Sequence, residues 1–335
     1  MNRIIWIAVV VLAIGAVALH YAVPRQRPAA SPSDSYPSKT LSNGVLTVRV
    51  YMPDAEKGFY RGQRFDWSGM IPRVDLAAHS FFNYELTDQN PIGPNHAMGP
   101  AEEFGHSSPP GYQEAAIGDS FLKIGVGRLR RKAMNEYRFW ENCEMADGGN
   151  WQTTSGKDWM ECVQTVEPAE GMGYRYTKRI ELVGKEPALK IIHRLLNTGS
   201  KAIDTDHYCH NLISIDGKPV GPAYQIKLPF EARGEGNSTW PRMGQIQGRD
   251  IGFQRQMAAG QSTLVTLKGF APVVEHNRVS VECGTATVRI QGDLPLSQFI
   301  VWAADQVVSP EPYVQIHVPP RGEQVWETRY TFEVK

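Results

Sequence analysis

From Leu41 onward, apolar and polar residues alternate with a period of two more often than of three or four. The chain therefore reads as a succession of strands, each with one wet face. Residues 174–182 alternate bulky apolar groups with charged ones, and residues 46–50, 279–283, 287–290 and 326–334 repeat the pattern. Residues 189–196 are more uniformly apolar and predict a more deeply buried strand, ended by the turn signal Asn197-Thr198-Gly199. The 31 glycines and 23 prolines fall between such runs, as many tight turns require. No sustained helical stripe, internal repeat or second linker interrupts this part. One-sided strands must bury their apolar faces against another layer, so the expected fold is all-β, a large antiparallel β-sandwich spanning residues 41–335.

The N-terminus follows a different pattern. Residues 4–23 are mostly apolar and long enough to cross a bilayer as a helix. Residues 1–23 are thus expected to form one N-terminal transmembrane or signal helix, an uncleaved anchor being favoured by the length of the apolar run. Residues 24–40, rich in Pro and Ser, predict a flexible tether. Arg3 precedes the apolar segment and Arg25 and Arg27 follow it, so flanking charge does not fix orientation. A short leading segment with a tether fits delivery of a soluble domain outside the cytoplasm, touching the membrane through this segment only.

Charge and cysteine content narrow the partners. Lys plus Arg and Asp plus Glu balance at 35 each, so no global field favours nucleic acid. The four cysteines, Cys143, Cys162, Cys209 and Cys283, lack the spacing of a zinc site, and no metal is expected. In an exported protein Cys143 and Cys162 could clip the Gly/Asn-rich stretch Asp147-Gly148-Gly149-Asn150; buried free thiols are the equal alternative.

Two segments carry candidate chemistry, Thr205-Asp206-His207-Tyr208-Cys209-His210-Asn211-Leu212 and Ser309-Pro310-Glu311-Pro312-Tyr313. Opening an aldose ring needs one group to take the anomeric hydroxyl proton and another to protonate the ring oxygen. A glutamate and a histidine suit these tasks near neutral pH. His210, three residues after His207, would face the other side of a strand.

The first segment resembles the Thr-Asn-His-Thr-Tyr-Phe-Asn-Leu motif of the galactose mutarotase (aldose 1-epimerase) family, matching at Thr205, His207, Asn211 and Leu212. Leu196-Asn197-Thr198-Gly199 is similar to that family's Asn-x-Gly turn, Glu311-Pro312 to its Glu-Pro motif, and Pro320-Arg321-Gly322-Glu323 with Tyr330-Thr331-Phe332 to its closing turn and strand. These anchors cover residues 189–335, and the likeness weakens upstream. The resemblance implies a mutarotase-like supersandwich needing no cofactor, with Glu311 as catalytic base, His207 as acid, and a small sugar or glycan end as ligand.

Upstream, Asn95-His96-Ala97-Met98-Gly99-Pro100 stands where the family has Asn-x-Leu-His-Gly-Gly, which makes His96 a substrate-binding candidate, although the double glycine is absent. Glu103 is a second carboxylate candidate, with Glu102 beside it suggesting a solvated acidic loop as the alternative. Arg64, in the polar-aromatic cluster Arg61-Gly62-Gln63-Arg64-Phe65-Asp66-Trp67, has the planar fork that sugar hydroxyls or carboxylates accept from. An arginine pairing with an acid to stabilise a turn is the competing reading. Because this fold also serves polysaccharide lyases and glycan binders, a non-catalytic carbohydrate-binding domain and a lyase remain alternatives.

Overall fold

The computed structural model describes residues 35–84 and 90–335. The expected anchor or signal segment, and most of the tether, lie outside the described residues. Among those described, no helix is long and apolar enough to cross a membrane. The first strand, Ser38–Ser42, already includes the last three positions of the expected tether.

The predicted alternation becomes strand throughout: residues 46–50 fall in Leu46–Tyr51 of a four-stranded sheet, and the other segments named above fall in Met172–Leu182, Ala188–Asn197, Arg278–Cys283, Ala286–Gly292 and Glu323–Val334. These latter strands join in a ten-stranded sheet running from Gly244–Gln247 at one edge to Asn150–Ser155 at the other. A six-stranded sheet packs against it, in the order Arg233–Gly236, Ser262–Lys268, Gln298–Ala304, Val308–Val318, Ile203–His210 and Ala101–Phe104. All these pairings are antiparallel. A four-stranded and a three-stranded sheet complete the layers.

Apolar side chains from both large sheets fill the space between them, among them Phe104, Tyr176, Leu195, Val314, Ile316 and Trp326. A separate cluster, including Tyr60, Phe65, Trp67, Met98, Ala101 and Leu212, covers the outer side of the six-stranded sheet. Between these layers the strands Ala101–Phe104, Ile203–His210 and Val308–Val318 present both faces to protein. Every second residue on them faces inward, toward the large sheet, and the others face outward.

The turn signal holds as read: Asn197 accepts a hydrogen bond from the Gly199 N–H and donates to the carbonyls of Lys201 and Val318. The Gly/Asn-rich stretch is a tight turn that carries the chain from Glu144–Asp147 in the three-stranded sheet to Asn150–Ser155 at the edge of the ten-stranded sheet, and all four cysteines are free thiols. Of the two alternatives for Cys143 and Cys162, the clip is not formed. Burial raises the Cys162 thiol to about 12, so it stays protonated and inert.

Candidate active site

His207 lies inside the strand Ile203–His210, between Val308–Val318 and Ala101–Phe104. Antiparallel register sets His207 opposite Phe104, Tyr208 opposite Glu103, Cys209 opposite Glu102 and His210 opposite Ala101. Residues directly opposite share a face. His207, Cys209, Glu102 and Phe104 therefore point inward, while Tyr208, His210 and Glu103 point outward.

Glu311 points outward as well. Its carboxylate contacts Nδ1 of His210, which also lies 3.0 Å from the Ser309 hydroxyl. His207 and Glu311, the pair expected to share one cleft, stand on opposite faces of one sheet and cannot act on the same ring. The reason is strand parity: the register joining His207 to Val314 puts His210, not His207, across from Glu311 when it is continued to the end of the strand.

On the inward face, Glu102 is 1% exposed and gathers three groups. Lys178 Nζ lies 2.6 Å from its carboxylate, His193 Nε2 3.0 Å and His207 Nε2 3.8 Å. The approaches are angled, so the contacts are electrostatic more than hydrogen-bonded. Lys178 also reaches Asp66 at 3.3 Å and donates to the Ser68 carbonyl. Burial raises the Glu102 carboxyl, but the charges of His193 and Lys178 outweigh it and hold the group well below the usual carboxylate range. Burial pushes His207 down to about 3 against the pull of Glu102, so its imidazole is neutral.

Glu102, His193 and His207 bring three potential metal ligands within 4.8 Å of one another. Their chemistry does not favour a metal. The Trp326 indole N–H can only donate, and it meets Nδ1 of His207 at 3.3 Å, which leaves the hydrogen on Nε2, the atom that would have to bind the ion. Lys178 already supplies the cation beside Glu102. The inward cluster is a lock between the two sheets, centred on the Glu102–Lys178 ion pair.

The outward face is built around Glu103, which is fully buried. It accepts from Lys123 Nζ at 3.0 Å, Arg64 Nε at 3.0 Å, the Tyr208 hydroxyl at 2.6 Å and His106 Nδ1 at 3.1 Å. Burial opposes ionisation of Glu103, yet Lys123 and Arg64 together hold its carboxyl well below the ordinary value. Arg64 also donates to Asn95 and to Tyr208 and is sandwiched between the rings of Phe65 and Phe139, with its guanidinium carbon 4.4 and 4.0 Å from their centroids. It thus orders the site from below, with its fork committed to protein groups. The acid of the competing turn reading, Asp66, binds Ser68 and Lys178 instead.

Glu102 and Glu103 are strand residues on opposite faces, so neither is part of a solvated acidic loop. His96 packs against Gly93 in the segment before that strand, beside the Asn95 that holds Arg64. The structure brings Arg64, Glu103 and Glu311 to one face, with His96 at its margin, and separates His207 from them.

Aromatic rings complete this face. Tyr208 stacks on Tyr313 at 4.2 Å, and Phe65 stacks on His210 at 5.9 Å, with Trp302 tilted against the same imidazole at 4.9 Å. His210 and Glu311 are 4% and 5% exposed, whereas the His106 side chain retains 28%. An open cleft of about 770 Å³ adjoins the site, lined in part by Asp204, Asp206, Gln315, Lys201 and Glu170. It lies beside the His210–Glu311 contact rather than over it, and Asp206 links the two regions by accepting from the His106 backbone N–H. Sequence reasoning missed His106, Lys123, Lys178 and His193.

This fold is that of the galactose mutarotase-like sandwiches. No protein-family model matches the chain, and no curated protein matches it in sequence. Among solved structures it is similar to the Slr1438 protein of Synechocystis sp. PCC 6803, with TM-score 0.55 and 10% identity over 91% of this chain and 100% of that one. It is also similar to a galactose mutarotase related enzyme from Lactobacillus acidophilus, with TM-score 0.51 and 11% identity over 89% and 99% of the two chains. A galactose mutarotase-like protein from Lactobacillus casei ATCC 334 gives TM-score 0.50 and 10% identity over 88% and 100%. At such identities the likeness establishes the fold alone.

Proposed function

We propose that the protein is an aldose 1-epimerase-like isomerase acting on a sugar at the outward face of the six-stranded sheet, with Glu311 as base in contact with His210. The observation that carries this reading is the juxtaposition of a carboxylate and an imidazole across two neighbouring strands, walled by Phe65, Trp302 and the Tyr208–Tyr313 stack. Aromatic faces suit the apolar side of a pyranose, and the paired acid and base suit proton movement at its anomeric centre.

In the forward step the anomeric O–H gives its proton to Glu311 and becomes the aldehyde oxygen. The bond from C1 to the ring oxygen breaks, its electron pair stays on that oxygen, and a proton is supplied there. Rotation about the C1–C2 bond and the reverse sequence close the ring from either face, so protons and electrons balance. His210 steadies the Glu311 carboxylate through the shared hydrogen bond, and Ser309 fixes His210 in turn. Placement outside the cytoplasm, with a soluble sugar or a glycan end as ligand, is part of the same proposal and rests on the N-terminal sequence.

Polarimetry of freshly dissolved aldoses, with and without the protein, tests the reading. Catalysed mutarotation by the wild type should fall by at least ~100-fold in Glu311→Gln, the usual span for removing a proton carrier, with the unfolding midpoint little changed. Full activity in that variant would remove Glu311 from the mechanism. Calorimetric binding of oligosaccharides without anomer interconversion would favour a carbohydrate-binding role instead.

A further inference from the structure

The ring oxygen must receive a proton as the anomeric hydroxyl loses one. His210 and Glu311 are joined by one hydrogen bond, which commits the Nδ1 side of the imidazole to that carboxylate and makes the two a single unit. Once that unit has taken the anomeric proton, an independent donor is needed for the ring oxygen. His207 cannot serve, because it faces the interior of the sandwich.

A second imidazole–carboxylate pair stands on the same outward face. Gly105 turns the chain after the strand Ala101–Phe104, with φ of +63°, and delivers His106 beside the Tyr208–Tyr313 stack. The His106 ring meets Tyr208 edge-on at 5.5 Å and Tyr313 at 6.2 Å, and tilts against Phe139 at 5.4 Å. Its backbone N–H is held by Asp206 and its Nδ1 by Glu103. An ionised carboxylate can only accept, so Nδ1 carries the hydrogen and Nε2 is the nitrogen left to exchange a proton with a ligand. Tyr208 and Tyr313 each lie two residues from His210 and Glu311 on their own strands, a separation of roughly 7 Å. The two pairs therefore flank one aromatic floor, and His106 is the member nearer the open cleft.

We propose that His106, oriented by Glu103, is the second proton carrier of the isomerase: with both ring nitrogens protonated it gives its Nε2 proton to the ring oxygen on opening, keeps the Nδ1 hydrogen on Glu103, and takes the Nε2 proton back from that oxygen on closure. This inference rests on the proposed function and deepens it. Glu103 is then a positioning residue: it fixes the tautomer and direction of the imidazole, while Lys123 and Arg64 keep it ionised. The strongly engaged carboxylate stays off the sugar, and the less buried imidazole meets it.

The test uses the full chain and an aldose that the wild type interconverts. His106→Ala should slow anomer interconversion at least ~100-fold with an unfolding midpoint close to wild type, because the side chain is partly exposed. Free imidazole added to His106→Ala should restore part of the rate in a saturable manner, a response that a purely structural histidine would not give. His106→Gln, which keeps the bulk, should be equally slow and should not respond to imidazole. Wild-type rates in either variant, or a loss that imidazole leaves untouched, would overturn the assignment while leaving Glu311 in place. A wild type that interconverts no aldose would overturn the isomerase reading itself, and this inference with it.

Discussion

Adjacent glutamates divide the labour of the site. Glu102 and Glu103 differ by one position in a strand, so one serves the interior lock and the other the outward face. Each is buried, and each has a lysine against its carboxylate: Lys178 for Glu102, Lys123 for Glu103. Taking a cation from such a group leaves an uncompensated buried charge, which costs more than the pair contributes when intact. Lys178→Met should therefore destabilise the protein by ~3–5 kcal/mol in chemical denaturation, and an unchanged midpoint would contradict the lock. His207 adds a pH signature. Its pKa falls from 6.5 to about 3 on folding, so between these values the unfolded chain binds a proton that the folded one refuses. Its contribution to stability is complete above pH 6.5 and is lost as pH falls, with a slope approaching ~1.4 kcal/mol per pH unit. Glu102, whose pKa is also depressed on folding, adds its loss only below its ordinary 4.5. His207→Gln should flatten the stability profile between pH 6.5 and 4.5; a profile parallel to wild type would show that His207 titrates normally.

Strands were legible in the sequence because alternation reports one-sided burial directly. The site was legible only in part, and the difference lies in phase. In Met172–Leu182 the inward positions are Tyr174, Tyr176, Lys178, Ile180 and Leu182, so Lys178 is a charge in an apolar phase. In Ala188–Asn197, His193 interrupts Ile191 and Leu195 in the same way. A polar residue in the buried phase of a strand was the available signal for the interior cluster. The pairing of His207 with Glu311 failed for the complementary reason: motif likeness fixes order along the chain, whereas strand parity decides the face. His106 lay beyond either signal, because a turn and not a strand aims it. That turn depends on Gly105, where a Cβ would come within 2.6 Å of the Pro109 Cα in addition to the positive φ. Gly105→Ala should lower stability by ~1–3 kcal/mol and reduce turnover further than that loss explains, since His106 is displaced. Measuring kcat well below the unfolding midpoint separates the two effects.

At the scale of the molecule, the six-stranded sheet is a partition with different chemistry on its two sides. Its inward face meets the ten-stranded sheet across a buried apolar layer, with a neutral His207 and the Glu102–Lys178 ion pair. Its outward face carries the carboxylates, imidazoles and aromatic rings that a sugar could meet, beside a cleft of ligand size. The strap between Arg131 and Cys143 crosses this side, pinned at one end by Arg131 on the carbonyls of Tyr112 and Ala115 and at the other by the mutual bonds of Gln63 and Cys143. Phe139 on the strap covers both Arg64 and His106, which makes the strap the part of the shell nearest any entering ligand. The proposed function belongs to the outward face. It is tested most directly by measuring aldose interconversion by polarimetry for His210→Gln and His207→Gln side by side, under conditions where both are folded. His210→Gln should lose at least ~100-fold and His207→Gln should keep near wild-type turnover, whereas the reverse result would place the chemistry between the sheets and contradict an outward-facing site.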